Sequence, residues 1–286
     1  LLLYTKLQFL CIHLNKKIFF SMSIILDDLN FPEGPCFDSK GNIWLVEKDA
    51  GNLVLVSDND YKRYNVGGAP NGIAIDENDL VWFCDSKQNS IRAFDPISKT
   101  TATIVNEYES GTLKMPNDLA FDRTGNLLFT CPGDTLEDNT GYICCLSTNK
   151  KLSKIFEGMY YPNGLALNKE QTQLFVAETG TQKIWSFEWN ADAKQLSNKT
   201  LFVETGGSIG PDGIAFDQDG NLYVAVYGSG KVKVWDKNGV LKEEIDSRGK
   251  NPTNCVLDPS GKKGLIITEA EKGLLVQHQT KKRGII

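Results

Sequence analysis

Six oxygen-bearing side chains occupy one recurring place in this chain: Glu33, Asn71, Asn117, Asn163, Asp212 and Thr253, each directly after a proline. Taken singly, Pro-Asn-Gly is a turn, since Asn and Gly tolerate positive φ and Asn can bond its own backbone. Six copies ask for more, because a turn requires neither Glu33 in one copy nor Asp212 in another. If the fold brings these positions together, two carboxylates and several amide oxygens converge and repel one another unless something positive sits between them. An all-oxygen shell suits a hard divalent cation, Ca²⁺ first, with Mg²⁺ or Mn²⁺ as alternatives. The sequence holds only two histidines, His13 and His278. That argues against a His-rich zinc site and against a Ser-His-Asp triad.

The elements that must position these residues show in the surrounding repeat. Gly210–Asp217 reads Gly-Pro-Asp-Gly-Ile-Ala-Phe-Asp, and relatives of it stand at Phe31–Asp38, Ala69–Asp76, Met115–Asp122, Tyr161–Asn168 and Asn251–Asp258. The motif prolines, at 32, 70, 116, 162, 211 and 252, step by 38, 46, 46, 49 and 41 residues. That is the length of a propeller blade rather than of a helical repeat. In the second copy, Gly72–Asp76, Leu80–Cys84, Ser90–Asp95 and Thr101–Val105 read as four strands parted by polar turns, with no amphipathic helix. The fifth repeats this at Gly213–Phe216, Leu222–Val226, Val232–Trp235 and Leu241–Ile245, and the third and fourth add longer loops at Cys131–Thr140 and Asn190–Ser197. The expected fold is therefore all-β: a single six-bladed β-propeller over residues 22–286, with four-stranded antiparallel blades around a central channel. The segment before Phe31 should lend a strand to the last blade, closing the ring and removing exposed edges. Rotation about the channel then carries one repeat position to the same depth in every blade.

Composition narrows the partners. With 41% hydrophobic and 23% charged residues and a formal charge of −5, the chain reads as a soluble globular protein without the basic face a nucleic acid needs. Seven scattered cysteines without a C-x-x-C pair read as reduced, mostly buried thiols of a cytoplasmic protein. Residues 1–21 are too interrupted by Lys6, Lys16 and Lys17 for a membrane span and read as a non-native or disordered N-terminal extension, Met22 being the expected start and a poor signal peptide the alternative. Gly206–Gly210 matches the G-x-S-x-G of a nucleophile elbow. An elbow must lead from a strand into a helix, whereas this segment leads into a strand.

Pro32–Pro35 (Pro-Glu-Gly-Pro), Pro116–Asp118 (Pro-Asn-Asp), Pro162–Leu165 (Pro-Asn-Gly-Leu) and Pro211–Gly213 (Pro-Asp-Gly), in that order, resemble the gluconolactonase, regucalcin (senescence marker protein) and luciferin-regenerating enzyme family. The resemblance covers roughly residues 25–275. It implies a six-bladed propeller with one divalent cation in the channel, Ca²⁺ commonly and Zn²⁺ or Mn²⁺ otherwise, that opens sugar lactones, a small-molecule substrate. Carried over, the metal ligands would be Glu33, Asn117, Asn163 and Asp212, while Asn71, Asn117 and Asp118 would face the substrate. The cation would polarise the lactone carbonyl and Asp212 would activate water. A phosphotriesterase-like hydrolase and a non-catalytic calcium-binding or interaction propeller are the alternatives. Two departures bear on substrate preference: Lys114-Met115-Pro116 stands where some relatives carry an arginine, and Phe129-Thr130-Cys131-Pro132 replaces Phe-Thr-Asp-Pro.

Overall fold

The computed structural model describes residues 21–58, 60–108 and 111–285, so the expectation for residues 1–21 falls, Ser21 apart, outside the described residues. Six four-stranded antiparallel sheets follow one another along the chain and form the blades of a propeller. Blade one comprises Pro32–Phe37, Ile43–Glu47, Asn52–Val56 and Tyr61–Asn65, and blade two Pro70–Ile75, Val81–Asp85, Ser90–Asp95 and Thr100–Val105. Blades three, four and five open at Leu119–Phe121, Pro162–Leu167 and Gly210–Phe216. Blade six is built of Pro252–Leu257, Leu265–Glu269 and Leu274–His278, and its fourth strand is Met22–Leu26 from the other end of the chain. The ring is therefore closed by strand pairing, as expected. Two details differ from the sequence reading. Gln195–Ser197 already lies in the outer strand of blade four, which shortens the expected loop, and a small hairpin, Glu107–Tyr108 with Gly111–Thr112, is inserted before blade three.

The repeated octapeptide is the inner strand, and its final acid makes the turn that follows. Asp76 accepts the N–H groups of Asn78 and Leu80 and the indole N–H of Trp82 at 2.9–3.0 Å. Asp38, Asp122, Asp217 and Asp258 make equivalent side-chain-to-backbone turns. The core lies between blades. Cys84 and Ile91 of blade two pack on Leu127, Phe129 and Cys144 of blade three, and the rings of Phe175 and Phe216 meet edge-on at 4.9 Å between blades four and five. Burying one such ring is worth about 2–3 kcal/mol, and stacking it between two sheets fixes the angle at which each inner strand meets the axis.

Candidate active site on the channel axis

In blades one, two, four and six the inner strand begins at its motif proline, where a missing N–H costs nothing. In blades one, two, four, five and six the pairing register slips just after that proline, between Glu33 and Cys36 in blade one and between Pro211 and Ile214 in blade five. Such bulges re-aim side chains, and here they act on the oxygen-bearing position. Glu33, Asn71, Asn117, Asn163 and Asp212 are all buried, as the repeat requires. Thr253 is buried too, but its hydroxyl donates to Pro32 O at 2.7 Å and joins blade six to blade one, so it seals the ring.

The two carboxylates on this ring are poorly compensated. Glu33 accepts one hydrogen bond, from Gly34 N–H at 3.3 Å, and Asp212 one from the Asn163 amide. Neither has an ion-pair partner within contact distance among the described residues. Burial pushes Glu33 up to about 7, with Lys48 opposing and Asp118 adding to the rise. Asp212 is raised well above its ordinary value by burial and then by Glu33. Asn163 also donates its amide to Thr179 Oγ1 at 3.3 Å, which leaves its oxygen as the atom free to accept.

One residue deeper, the repeat carries Gly34, Gly72, Gly164 and Gly213 in four blades but Asp118 and Asn254 in the other two. The glycines make room for the exceptions. A Cβ on Gly72 would lie 2.1 Å from Asp118 Oδ1, and one on Gly213 would lie 2.0 Å from Asn254 Cγ. Burial raises Asp118 to about 7 against the Leu119 N–H and the Asn254 side chain. Both residues line a cavity of about 230 Å³ at the far end of the channel, where Gly284 and Ile285 also lie. Sequence reasoning missed Asn254, although a side chain in a glycine position is a visible signal.

A lip surrounds the ring, built of the residue before each motif proline and the residue after the second strand. The two are paired through the backbone, Lys48 N–H to Phe31 O, Ser86 N–H to Ala69 O, Thr179 N–H to Tyr161 O and Ala270 N–H to Asn251 O. In blade five the pair is Gly210 and Tyr227. Lys48 holds its ammonium 5.0 Å over the Phe31 ring, and it is the cation that acts on both Glu33 and Asp212. The phenols of Tyr161 and Tyr227 are raised by burial and then by Asp212 and Glu33, Tyr227 by Glu269 and Glu271 as well.

Outside the lip, a second set of buried acids ends the second strands: Glu47, Asp85, Glu178 and Glu269. Cys131 holds this place in blade three, fully buried in the core with Cys84 and Cys144. The carboxylate missing there is thus one of the buried strand-end acids, away from the axis. Ser208 of the Gly-x-Ser-x-Gly segment donates its hydroxyl to Gly228 O, and the chain runs on into the strand Gly210–Phe216.

Among the described residues no three His, Cys, Asp or Glu side chains gather as a metal cluster; the ring's donors are two carboxylates and amides. No helix among those residues is long and apolar enough to cross a membrane.

Comparison with known proteins agrees with this fold. The chain is 26% identical over 291 residues to diisopropyl-fluorophosphatase of Loligo vulgaris, covering 91% of this chain and 92% of that protein. It is 25% identical over 297 residues to a gluconolactonase of Zymomonas mobilis, covering 92% and 82%. Its fold matches a calcium-binding protein, regucalcin, from Agrobacterium tumefaciens with a TM-score of 0.80 at 17% identity over 93% and 95% of the two chains. The model of the SMP-30/gluconolactonase/LRE-like region matches residues 31–271, and the chain belongs to that family.

Proposed function

We propose that this protein is a divalent-metal-dependent hydrolase that opens lactones, with Glu33, Asn117, Asn163 and Asp212 as the metal ligands. The observation that carries this reading is the pair Glu33 and Asp212, buried on the axis, each raised by burial and neither neutralised by a cation in contact. A divalent ion removes both penalties at once, and the oxygens of Asn117 and Asn163 complete a hard donor set. Ca²⁺ is the first candidate, with Zn²⁺, Mn²⁺ or Mg²⁺ as alternatives. When bound, such an ion supplies Lewis-acid polarisation of the lactone carbonyl.

The chain's own groups do the rest. Asn71 and Asn117 offer amide hydrogen bonds to the substrate's oxygens, with Asp118 beneath them. Asp212 orients the attacking water and accepts its proton. Gluconolactonase, named among the relatives, makes glucono-δ-lactone the first substrate to try.

The test is acid release from glucono-δ-lactone and a lactone panel in a pH-stat, after EDTA treatment and after each cation is restored. Activity should vanish on chelation and return with one cation, and Asp212→Asn should lower kcat by about 10³ or more, the scale of removing a group that acts on the reacting atoms. Turnover that survives chelation would refute metal dependence. The diisopropyl-fluorophosphatase relative favours a second reading, hydrolysis of organophosphate triesters, and a fluorophosphate in the same panel decides between them.

A further inference from the structure

The lip is asymmetric in a way the ring is not. The residue before the motif proline is large in blades one, three and four, as Phe31, Met115 and Tyr161, and small in blades two and six, as Ala69 and Asn251. Those same three large residues hold φ of +55°, +42° and +55°. Bulky side chains rarely adopt positive φ, and such strain persists where the surroundings enforce it, often at ligand sites. Ala69 and Asn251 show no such value. In blade five the large member is Tyr227, supplied by the second strand. Blades three, four and five are consecutive, so Met115, Tyr161 and Tyr227 follow one another round the lip as a wall of large residues, and each is half-buried, with surface left to offer. Across the axis from blade four stands blade one, where Phe31 lies under the Lys48 ammonium.

We infer that this wall selects lactones carrying an apolar substituent, aryl or alkyl, over polyhydroxylated sugar lactones. A sugar ring would need several hydrogen-bond partners along its edge, whereas three consecutive blades present a thioether and two aromatic rings there, with the two phenol hydroxyls as their only polar atoms. An apolar substituent laid on the wall leaves the ester end over Glu33 and Asp212. The inference rests on the lactone-hydrolase reading and specifies its substrate.

Two experiments separate the failure of one from the failure of the other. In the first, kcat/KM is measured on the metal-loaded full chain for δ-valerolactone, its 6-phenyl derivative and glucono-δ-lactone. The phenyl compound should be preferred by at least 10-fold, on the scale that apolar pocket contacts discriminate. Tyr161→Ala and, independently, Met115→Ala should reduce that preference several-fold through KM, lowering kcat/KM for the phenyl compound more than for δ-valerolactone. A preference for glucono-δ-lactone, or variants that lower all three substrates equally, would overturn the inference.

In the second, binding of the unreactive lactams 6-phenylpiperidin-2-one and gluconolactam is measured by calorimetry. If no lactone turns over, the hydrolase reading fails, yet tighter binding of the phenyl lactam that is weakened by Tyr161→Ala still upholds the wall. Equal binding, or binding indifferent to both variants, refutes it.

Discussion

Two sets of carboxylates are buried at one end of this propeller. On the axis, Glu33 and Asp212 have between them one backbone N–H, one amide and a lysine that is not in contact. At the ends of the second strands the acids are saturated. Asp85 accepts the N–H groups of Ala69, Lys87 and Gln88 and the Arg92 guanidinium at 2.8 Å. Glu269 takes three N–H groups at 2.9 Å, and Glu47 takes Asn30, Asn52 and both arms of Arg63. Burial alone therefore does not mark a site. An acid whose oxygens are filled by its own blade is a structural clamp, whereas one left with spare lone pairs in a desolvated ring is poised for a ligand.

The largest effect expected from this contrast is on stability, at a clamp. Asp85→Ala leaves Arg92, itself buried, without its carboxylate and strips three N–H groups of their acceptor. Breaking a buried pair in this way costs about 3–5 kcal/mol. Urea unfolding should show that loss, while kcat of the folded, metal-loaded protein stays within a few-fold of the parent. A variant that unfolds normally but loses hydrolysis would erase the distinction between clamp and site.

Next comes the pH dependence of the metal-free protein, where Glu33 of the ring and Glu47 of the strand ends should act with opposite sign. Glu33 is raised from an ordinary 4.5 to about 7. Its contribution is fully present below about 4.5 and is lost as pH rises through 7, a swing on the order of 3 kcal/mol. Glu47 is held below its ordinary value, Arg63 and Asn52 outweighing burial, so its contribution is present above about 4.5 and is lost as pH falls. After EDTA treatment, stability should therefore decline between pH 5 and pH 8. Glu33→Gln should flatten that decline, raise stability at pH 8 by about 2 kcal/mol and abolish stabilisation by Ca²⁺, which in the parent should reach about 2.7 kcal/mol at 100-fold Kd. Thermal melts across pH, with and without the cation, read all three. A parent protein whose metal-free stability climbs steadily to pH 8 would show that Glu33 is compensated after all.

How far each set was legible in the sequence follows from how it is made. The axial ring was visible because rotation turns one repeat position into one place, and proline marked that position in every copy. Thr253 was read into the ring because its type fits; only the fold shows its hydroxyl committed to Pro32 O. The clamps escaped notice. Glu47, Asp85, Glu178 and Glu269 stand 15, 15, 16 and 17 residues after their motif prolines, a near-constant spacing that does not by itself show a role, and their partners come from turns and strands up to 21 residues away along the chain. Cys131 was weighed as a lost substrate contact, but its place in the repeat is that of a clamp, buried in the core.

Blade three thus lacks a clamp acid, and its replacement gives the smallest and most local prediction. Where Asp85 accepts Ala69 N–H in blade two, Met115 N–H of blade three is accepted at 2.8 Å by Asn89 Oδ1, a side chain of the neighbouring blade, and Lys114 N–H by the Tyr142 hydroxyl at 3.0 Å. Asn89 therefore does for the lip what Cys131 cannot, and it does so next to a residue of the proposed wall. Asn89→Ala leaves one partly buried N–H unpaired, a loss of about 1–2 kcal/mol, small beside that of Asp85→Ala. Its more telling effect is on the φ of +42° at Met115, which this bond helps to enforce. Asn89→Ala should raise KM for the phenyl-substituted lactone several-fold with kcat and Ca²⁺ affinity unchanged. A change in Ca²⁺ affinity instead would mean that lip and ring are one mechanical unit, and that the clamps hold the metal ligands as well as the blades.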